Sequence, residues 1–157
     1  MKQTSLVYLI RNQEWLFLYR NKKENDVNHG KWIGVGGKRE INESIEQCAI
    51  REVKEETGYE IDALNKHGIV YFIYDENEVE EMHVFTSSLF HGRQKECDEG
   101  ILKWIPKNRI LDLDLWEGDR IFLKDLMETP DPLFIYELKY DKDSKLISFK
   151  KLEESYG

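Results

Sequence analysis

Hydrophobic and polar residues alternate with a period of two over much of the chain, which predicts β-strands. The first two strands, "TSLVYLIR" and "EWLFLYRN", are separated by a polar turn around Asn12, and this arrangement predicts a hairpin. A polar loop ending at Gly30 comes next. The glycine-rich stretch "KWIGVGGK" then predicts a short strand that leads into a tight turn.

One segment has helical rather than strand periodicity. Ser44 and Gln47 have the spacing of a capping box, and Gly58 is a helix-stop signal, so a helix is predicted over residues 45–57. Its apolar face, which we expect to pack on a core, is formed by Ile45, Ala49 and Val53, with Ile50 at the edge.

The middle of the chain returns to strand periodicity. "IDALNKHGIVYFIYD" and "EEMHVFTSSLF" predict a long hairpin that turns around "ENEVE". "GILKWIP" predicts another short strand. "LWEGDRIFLKDLME" then predicts an amphipathic helix.

The C-terminal part predicts a stop and a final hairpin. Pro130 and Pro132 end the second helix, and residues 133–154 predict two strands that turn at "DKDS". The resulting order of strands and helices predicts an α/β fold with a mixed β-sheet, helices on its faces and a C-terminal β-hairpin. We expect residues 1–157 to form a single domain.

Composition and charge limit the classes of partner that we expect. The chain is 40% hydrophobic and 34% charged, as in globular proteins, and its net charge is −8. That charge argues against nucleic acid as the main partner, although a bound divalent metal would still allow small anionic ligands. Cys48 and Cys97 are expected to be free thiols. Because no apolar run approaches the length of a membrane span or forms a signal peptide, we expect a cytoplasmic protein without membrane contact.

The predicted first helix carries three glutamates on one side. Glu52, Glu55 and Glu56 lie in a single arc, where like charges repel one another. Such an oxygen-rich surface suits Mg²⁺ or Mn²⁺, and clustered ions of this kind clamp phosphates and generate a hydroxide nucleophile. The alternative is a solvated acidic face of a protein without metal chemistry.

The spacing around these glutamates distinguishes the two interpretations. Gly37, then Glu43 after five residues, then "REVKEETG" at 51–58 after seven more, match the Nudix box. The chain thus resembles the Nudix hydrolase superfamily, with Tyr59 as a departure because the box more often ends in an aliphatic residue. The resemblance implies a Nudix α/β/α sandwich that hydrolyses a nucleoside diphosphate linked to another group, by attack of water on phosphorus.

The resemblance also implies roles for individual residues. The groups that would hold the divalent ions are the Gly37 carbonyl, Glu52, Glu55 and Glu56. Arg51 would orient a box glutamate. Glu43 would support the geometry between loop and helix, or act only as a charge at the helix start.

A further acidic residue lies outside the box. In MutT-like members an acidic residue before a later strand also reaches the metal ions, as ligand or as base, and "CDEGILKWIP" places Glu99 there with Asp98 beside it. Whether Glu52 or Glu99 is the general base stays open.

The flanking segments are most like the MutT-like branch, in particular bacterial 8-oxo-dGTP diphosphatases of the MutX type. This likeness implies that Trp116 stacks on a purine and Asp119 reads its edge, although both have alternative interpretations as a core residue and a helix-start charge. Arg20 and Lys38 would contact the triphosphate or be solvated surface charges. Ile33 replaces an asparagine found in many relatives, which favours a broader range of purines.

Several functions therefore follow as hypotheses. The leading one is cleavage of a purine nucleoside triphosphate, such as 8-oxo-dGTP, to the monophosphate and pyrophosphate by a monomer or homodimer. The alternatives are a pyrophosphatase for a nucleotide sugar such as ADP-ribose, and a non-catalytic nucleotide-binding module.

Overall fold

The computed structural model describes residues 1–75, 77–129 and 133–156. In these ranges the elements, in chain order, are β1 (Lys2–Arg11), β2 (Glu14–Tyr19), β3 (Trp32–Ile33), α1 (Ile45–Thr57), β4 (Tyr59–Tyr74), β5 (Glu80–Gly92), β6 (Ile101–Pro106), α2 (Glu117–Glu128), β7 (Phe134–Tyr140) and β8 (Leu146–Lys151). A 3₁₀ helix over Lys107–Asp112, which the sequence pattern did not predict, precedes α2. The predicted stop at Pro130 and Pro132 lies outside the described residues, as does Glu76 of the predicted turn before β5.

The strands form a mixed sheet, as predicted. Their order is β3-β2-β1-β5-β4-β7-β8, and β6 pairs with the other edge of β2. The β1–β5 and β4–β7 pairs are parallel, whereas the remaining pairs are antiparallel. The predicted C-terminal hairpin is the β7–β8 pair.

Helices cover both faces of this sheet. Along β1, Leu6 and Tyr8 point to one face and Val7 and Leu9 to the other, because successive side chains of a strand alternate. The first face packs against α2 through Phe122, Leu123 and Leu126. The second face packs against α1 through Ala49 and Val53. The α/β/α sandwich is therefore confirmed, and none of the helices in the described ranges is long and apolar enough to span a bilayer.

Local capping fixes the ends of α1. The Ser44 hydroxyl accepts the N–H of Gln47 at 3.0 Å, and the Gln47 side chain accepts the N–H of Ser44 at 2.8 Å. Gly58 follows the helix with φ +86°. Both predicted ends are confirmed, so the box glutamates project from a helix of known phase.

A fork in β1 positions the glycine-rich segment. At its end β1 pairs with β2, and nearer its start it pairs instead with residues 35–38, with Val7 opposite Val35. A Cβ at Gly36 would lie 1.9 Å from the Ser5 carbonyl oxygen, so only glycine permits this pairing. The segment is thereby held between β1 and α1.

Candidate active site

Arg51 forms hydrogen bonds with three glutamates of the acidic cluster. Its guanidinium donates to both carboxylate oxygens of Glu43, at 2.9 and 2.7 Å, in a bidentate pair. It also donates to Glu52 at 2.8 Å and to Glu55 at 3.1 Å. Hydrogen bonding to Arg51 lowers the pKa of Glu43 to about 2. Glu43 therefore anchors the arginine, which in turn holds two box glutamates.

The carboxyl group of Glu52 packs directly against the loop. A Cβ at Gly37 would lie only 2.5 Å from the Glu52 carboxyl carbon, so a side chain at this position would displace that carboxyl. Burial raises the pKa of Glu52, and the neighbouring charges of Glu55 and Glu99 add to that effect while Arg51 opposes it. Glu55 is 59% exposed and turns towards solvent beside Arg51.

Glu56 is the most buried acid of the cluster. It accepts the Gly36 N–H at 2.9 Å. Burial raises its pKa, and a hydrogen bond with Glu99 raises it further. Glu99 also pairs with Arg20 at 3.2 Å, and Arg20 donates to Asp26 at 2.7 Å. The structure thus brings Glu56 and Glu99 together from distant parts of the chain.

The donor set fits a hard divalent cation. Two carboxyl groups in contact need either a proton or a cation between them, and all side-chain donors here are carboxylate oxygens, as Mg²⁺ and Mn²⁺ prefer. Among the described residues, no three acidic, histidine or cysteine side chains already surround one point. The carboxylates of Glu52 and Glu55 instead accept hydrogen bonds from Arg51. Asp98, the alternative to Glu99 in the sequence analysis, is exposed.

A backbone carbonyl that the sequence analysis did not name is a further candidate metal ligand. The Gly37 carbonyl accepts the Ser5 N–H at 2.9 Å, so it belongs to the pairing with β1. Backbone groups of successive residues in an extended strand point to opposite edges. The Gly36 N–H donates to Glu56, so by the same alternation the Gly36 carbonyl is expected on the side of the carboxylates. The Gly37 carbonyl also accepts the Cys48 thiol at 3.4 Å, so both glycines contact α1. Sequence spacing alone does not tell which of the two carbonyls is paired with β1.

A cavity of about 280 Å³ lies next to these carboxylates. Its lining includes all four residues predicted to bind substrate, namely Arg20, Lys38, Trp116 and Asp119. Glu56 and Ile33 line it as well. The structure therefore brings the box next to the four residues predicted to contact substrate, and Ile33 contributes an apolar side chain to the same cavity wall.

Trp116 is both a core residue and a cavity residue. It is 3% exposed, and its indole N–H donates to the Asn28 side chain at 2.8 Å. The aromatic rings of Phe72 and Tyr140 meet it nearly at right angles, with centroids 5.5 and 4.9 Å away. The ring is therefore rigidly held, which suits a stacking surface.

Asp119 lies in the first turn of α2, and its side chain lines the cavity. It is 5% exposed, and no group in the described residues forms a hydrogen bond with its carboxyl. Burial raises its pKa to about 7, the Glu80 charge adds to the rise, and Lys31 opposes it. Near neutral pH this carboxyl is able to donate a hydrogen bond as well as accept one.

Trp32 is half-buried in β3. The centroid of its ring lies 4.8 Å from that of Tyr19. It packs against the same core as α2.

Comparison with known proteins identifies the family. The NUDIX domain model matches residues 1–126. The chain is 36% identical over 98 residues to an oxidized purine nucleoside triphosphate hydrolase of Danio rerio, covering 62% of this chain and 63% of that protein. It is 29% identical over 150 residues to the protein of the same name from Mus musculus, covering 95% and 93%.

A solved structure gives the same result. The MutT protein from Bacillus halodurans superimposes with a TM-score of 0.85 at 26% identity, covering 99% of this chain and 100% of that one. The superposition confirms the predicted fold, including the strands that follow the matched domain. The chain therefore belongs to the NUDIX domain family and has the fold of a MutT-like Nudix hydrolase.

Proposed function

We propose that this protein hydrolyses purine nucleoside triphosphates, oxidised ones such as 8-oxo-dGTP included, to the monophosphate and pyrophosphate. The observation that carries this proposal is the contact between the carboxylate cluster and the cavity lined by Trp116 and Asp119. The names of the relatives from Danio rerio and Mus musculus support the same substrate class.

Members of the NUDIX family generally use divalent metal ions. Here Mg²⁺ or Mn²⁺ would be held by carboxylates and a backbone carbonyl: Glu52, Glu55, Glu56, Glu99 and the carbonyl of Gly36 or Gly37. When bound, such an ion neutralises phosphate charge and lowers the pKa of coordinated water. The alternation of backbone groups supports Gly36 over Gly37 as the carbonyl donor.

The protein groups supply proton transfer and orientation. We assign acceptance of the proton from the attacking water to Glu52, because its carboxyl lies against the glycine loop and is oriented by Arg51, and keep Glu99 as the alternative. Arg51 acts as a positioning residue that fixes Glu52 and Glu55. Glu43 holds Arg51 in place.

Residues that line the cavity would contact the substrate. Arg20 and Lys38 would bind triphosphate oxygens, with Arg20 exchanging part of its pairing with Asp26 and Glu99 for phosphate. Trp116 would stack on the purine. Asp119 would hydrogen-bond to the edge of the base.

The proposal is tested with a panel of nucleoside triphosphates and nucleotide sugars, with and without Mg²⁺. We expect Mg²⁺-dependent release of pyrophosphate from purine triphosphates. Glu52→Gln should lower kcat by about 10²- to 10⁴-fold, because it removes an acid–base group. Glu46→Gln, an exposed change on the same helix, should leave kcat unchanged.

Two outcomes would contradict the proposal. Release of nucleoside monophosphate plus a sugar phosphate, with little triphosphate turnover, would establish the nucleotide-sugar alternative. Tight nucleotide binding in calorimetry with no turnover of any substrate would establish the non-catalytic module.

A further inference from the structure

Besides Glu56 and Asp119, the cavity lining contains a third acidic side chain, to which the proposed reaction gives no role. Glu80 begins β5 and lines the same cavity as Trp116 and Asp119. It lies two residues before Met82, which also lines the cavity, so both point to the sheet face covered by α2. With 23% of its side chain exposed, Glu80 is accessible from the cavity without being a surface charge.

Neighbouring residues on β1 hold Glu80 in place. The Thr4 hydroxyl donates to one carboxylate oxygen at 3.1 Å, and the Lys2 ammonium lies 3.3 Å from the other. Parallel pairing of β1 with β5 sets Lys2 directly opposite Glu80. Each carboxylate oxygen has a second lone pair, so both oxygens keep capacity to accept a further hydrogen bond.

The groups around Glu80 define what the cavity offers to a base. Glu80 is an acceptor fixed by a cation and a hydroxyl, whereas Asp119 is a buried carboxyl that has no hydrogen-bond partner among the described residues. Ile33 contributes only apolar contact. A base that enters beside Trp116 therefore meets one carboxylate acceptor and one carboxyl that is able to donate.

We propose that Glu80 determines specificity, by accepting hydrogen bonds from guanine-type purines, whose ring N–H adjoins an exocyclic amine. This inference rests on the proposed function and names its substrate class more narrowly. A guanine-type edge presents two adjacent donors to a carboxylate. An adenine-type edge presents a ring nitrogen acceptor at that place, which a carboxylate repels and leaves unpaired.

The test compares 8-oxo-dGTP with 8-oxo-dATP, which carry the same oxidation and differ in the edge of the six-membered ring. Glu80→Gln keeps the size of the side chain but replaces one acceptor by a donor. We expect the ratio of kcat/KM for 8-oxo-dGTP to that for 8-oxo-dATP to fall by about 10-fold or more, from the usual worth of a paired base edge. Glu78→Gln, an exposed change two residues earlier, should leave the ratio unchanged.

A second variant and a second readout keep the test independent of folding and of turnover. Thr4→Val removes the hydroxyl that fixes Glu80 and should shift the ratio in the same direction by a smaller factor. Dissociation constants of 8-oxo-dGMP and 8-oxo-dAMP, measured by quenching of tryptophan fluorescence, should show the same change in preference.

An unchanged ratio in Glu80→Gln, or an equal loss for both nucleotides, would overturn the inference and leave the proposed function intact. Absence of Mg²⁺-dependent turnover in the unmodified protein would instead overturn the proposed function. If there is no turnover, the fluorescence titration still tests the role of Glu80. The same preference between 8-oxo-dGMP and 8-oxo-dAMP in Glu80→Gln and in the unmodified protein would overturn this inference.

Discussion

Carboxyl groups of one chemical type behave in opposite ways at this site. Arg51 lowers the pKa of Glu43 to about 2, whereas burial without a hydrogen-bond partner raises that of Asp119 to about 7. Glu43 is therefore suited to hold the cationic side chain of Arg51, and Asp119 is suited to exchange a proton with a ligand. The arginine partner of Glu55 was predictable because the two are four residues apart on a helix. The pairing of Arg20 with Glu99 was not, because 79 positions separate them.

The titration of Asp119 predicts a pH-dependent stability difference. Its pKa is raised from 3.8, the value expected in the unfolded chain, to about 7 in the folded protein. The folded state therefore keeps a proton that the unfolded state has lost. This contribution to the free energy of unfolding is fully present below about pH 4 and is lost as the pH rises through 7.

In Asp119→Asn the side chain stays neutral at every pH. The free energy of unfolding of this variant should therefore not decrease through ionisation of residue 119. Relative to the unmodified protein, the variant should gain roughly 2–4 kcal/mol between pH 4 and pH 8. Urea unfolding in EDTA at several pH values measures the difference, and the exposed change Asp112→Asn serves as control. Parallel curves for Asp119→Asn and the unmodified protein would contradict the prediction.

At the scale of single elements, α1 shows why its ends were predictable. The capping box and the glycine stop act through neighbours within four residues, so the signal is complete in the sequence. The 3₁₀ helix over Lys107–Asp112 lacked such a signal, since no side chain caps its start. The fork of β1 was also missed, because a strand's change of partner depends on segments far along the chain.

Removing the cap of α1 should destabilise the protein. Ser44→Ala removes the acceptor for the Gln47 N–H and should lower the free energy of unfolding by about 1 kcal/mol. Chemical denaturation measures the change, with Ser88→Ala, an exposed serine on β5, as the control. Equal stability of the two variants would show that the capping box contributes nothing in the folded protein.

At the scale of the whole molecule, the C-terminus is tied to the site loop by a chain of contacts. Tyr156 stacks on Tyr71 with centroids 3.7 Å apart, and its N–H donates to the Tyr71 hydroxyl at 2.8 Å. Tyr71 donates to Glu81 at 3.4 Å, and Gln3 donates to the same carboxylate at 3.0 Å. Arg39, within the Nudix box, then donates to Gln3 at 2.7 Å.

Loss of the Tyr156 ring should therefore reduce global stability. Tyr156→Ala exposes Tyr71 and should lower the free energy of unfolding by about 1–2 kcal/mol, from lost burial and stacking. Tyr156→Phe keeps the ring and should retain most of that stability. Thermal and chemical denaturation compare the two, and equal losses in both variants would assign the effect to the hydroxyl and its bond to Glu137 instead.

The sequence by itself determined the features that depend on short spacing. These are the ends of α1, the phase of its glutamates, the alternation of the strands and the family resemblance carried by residues 37–58. Each follows from the fixed period of a helix or strand or from contacts within a few residues.

Only the tertiary structure decided which distant groups meet and how deeply they are buried. It brought Glu99 to Glu56, paired the Gly36 N–H with Glu56 on α1, and enclosed Asp119 beside Glu80. Chain closure over many residues and the exclusion of water set these properties, and neither is encoded in local spacing.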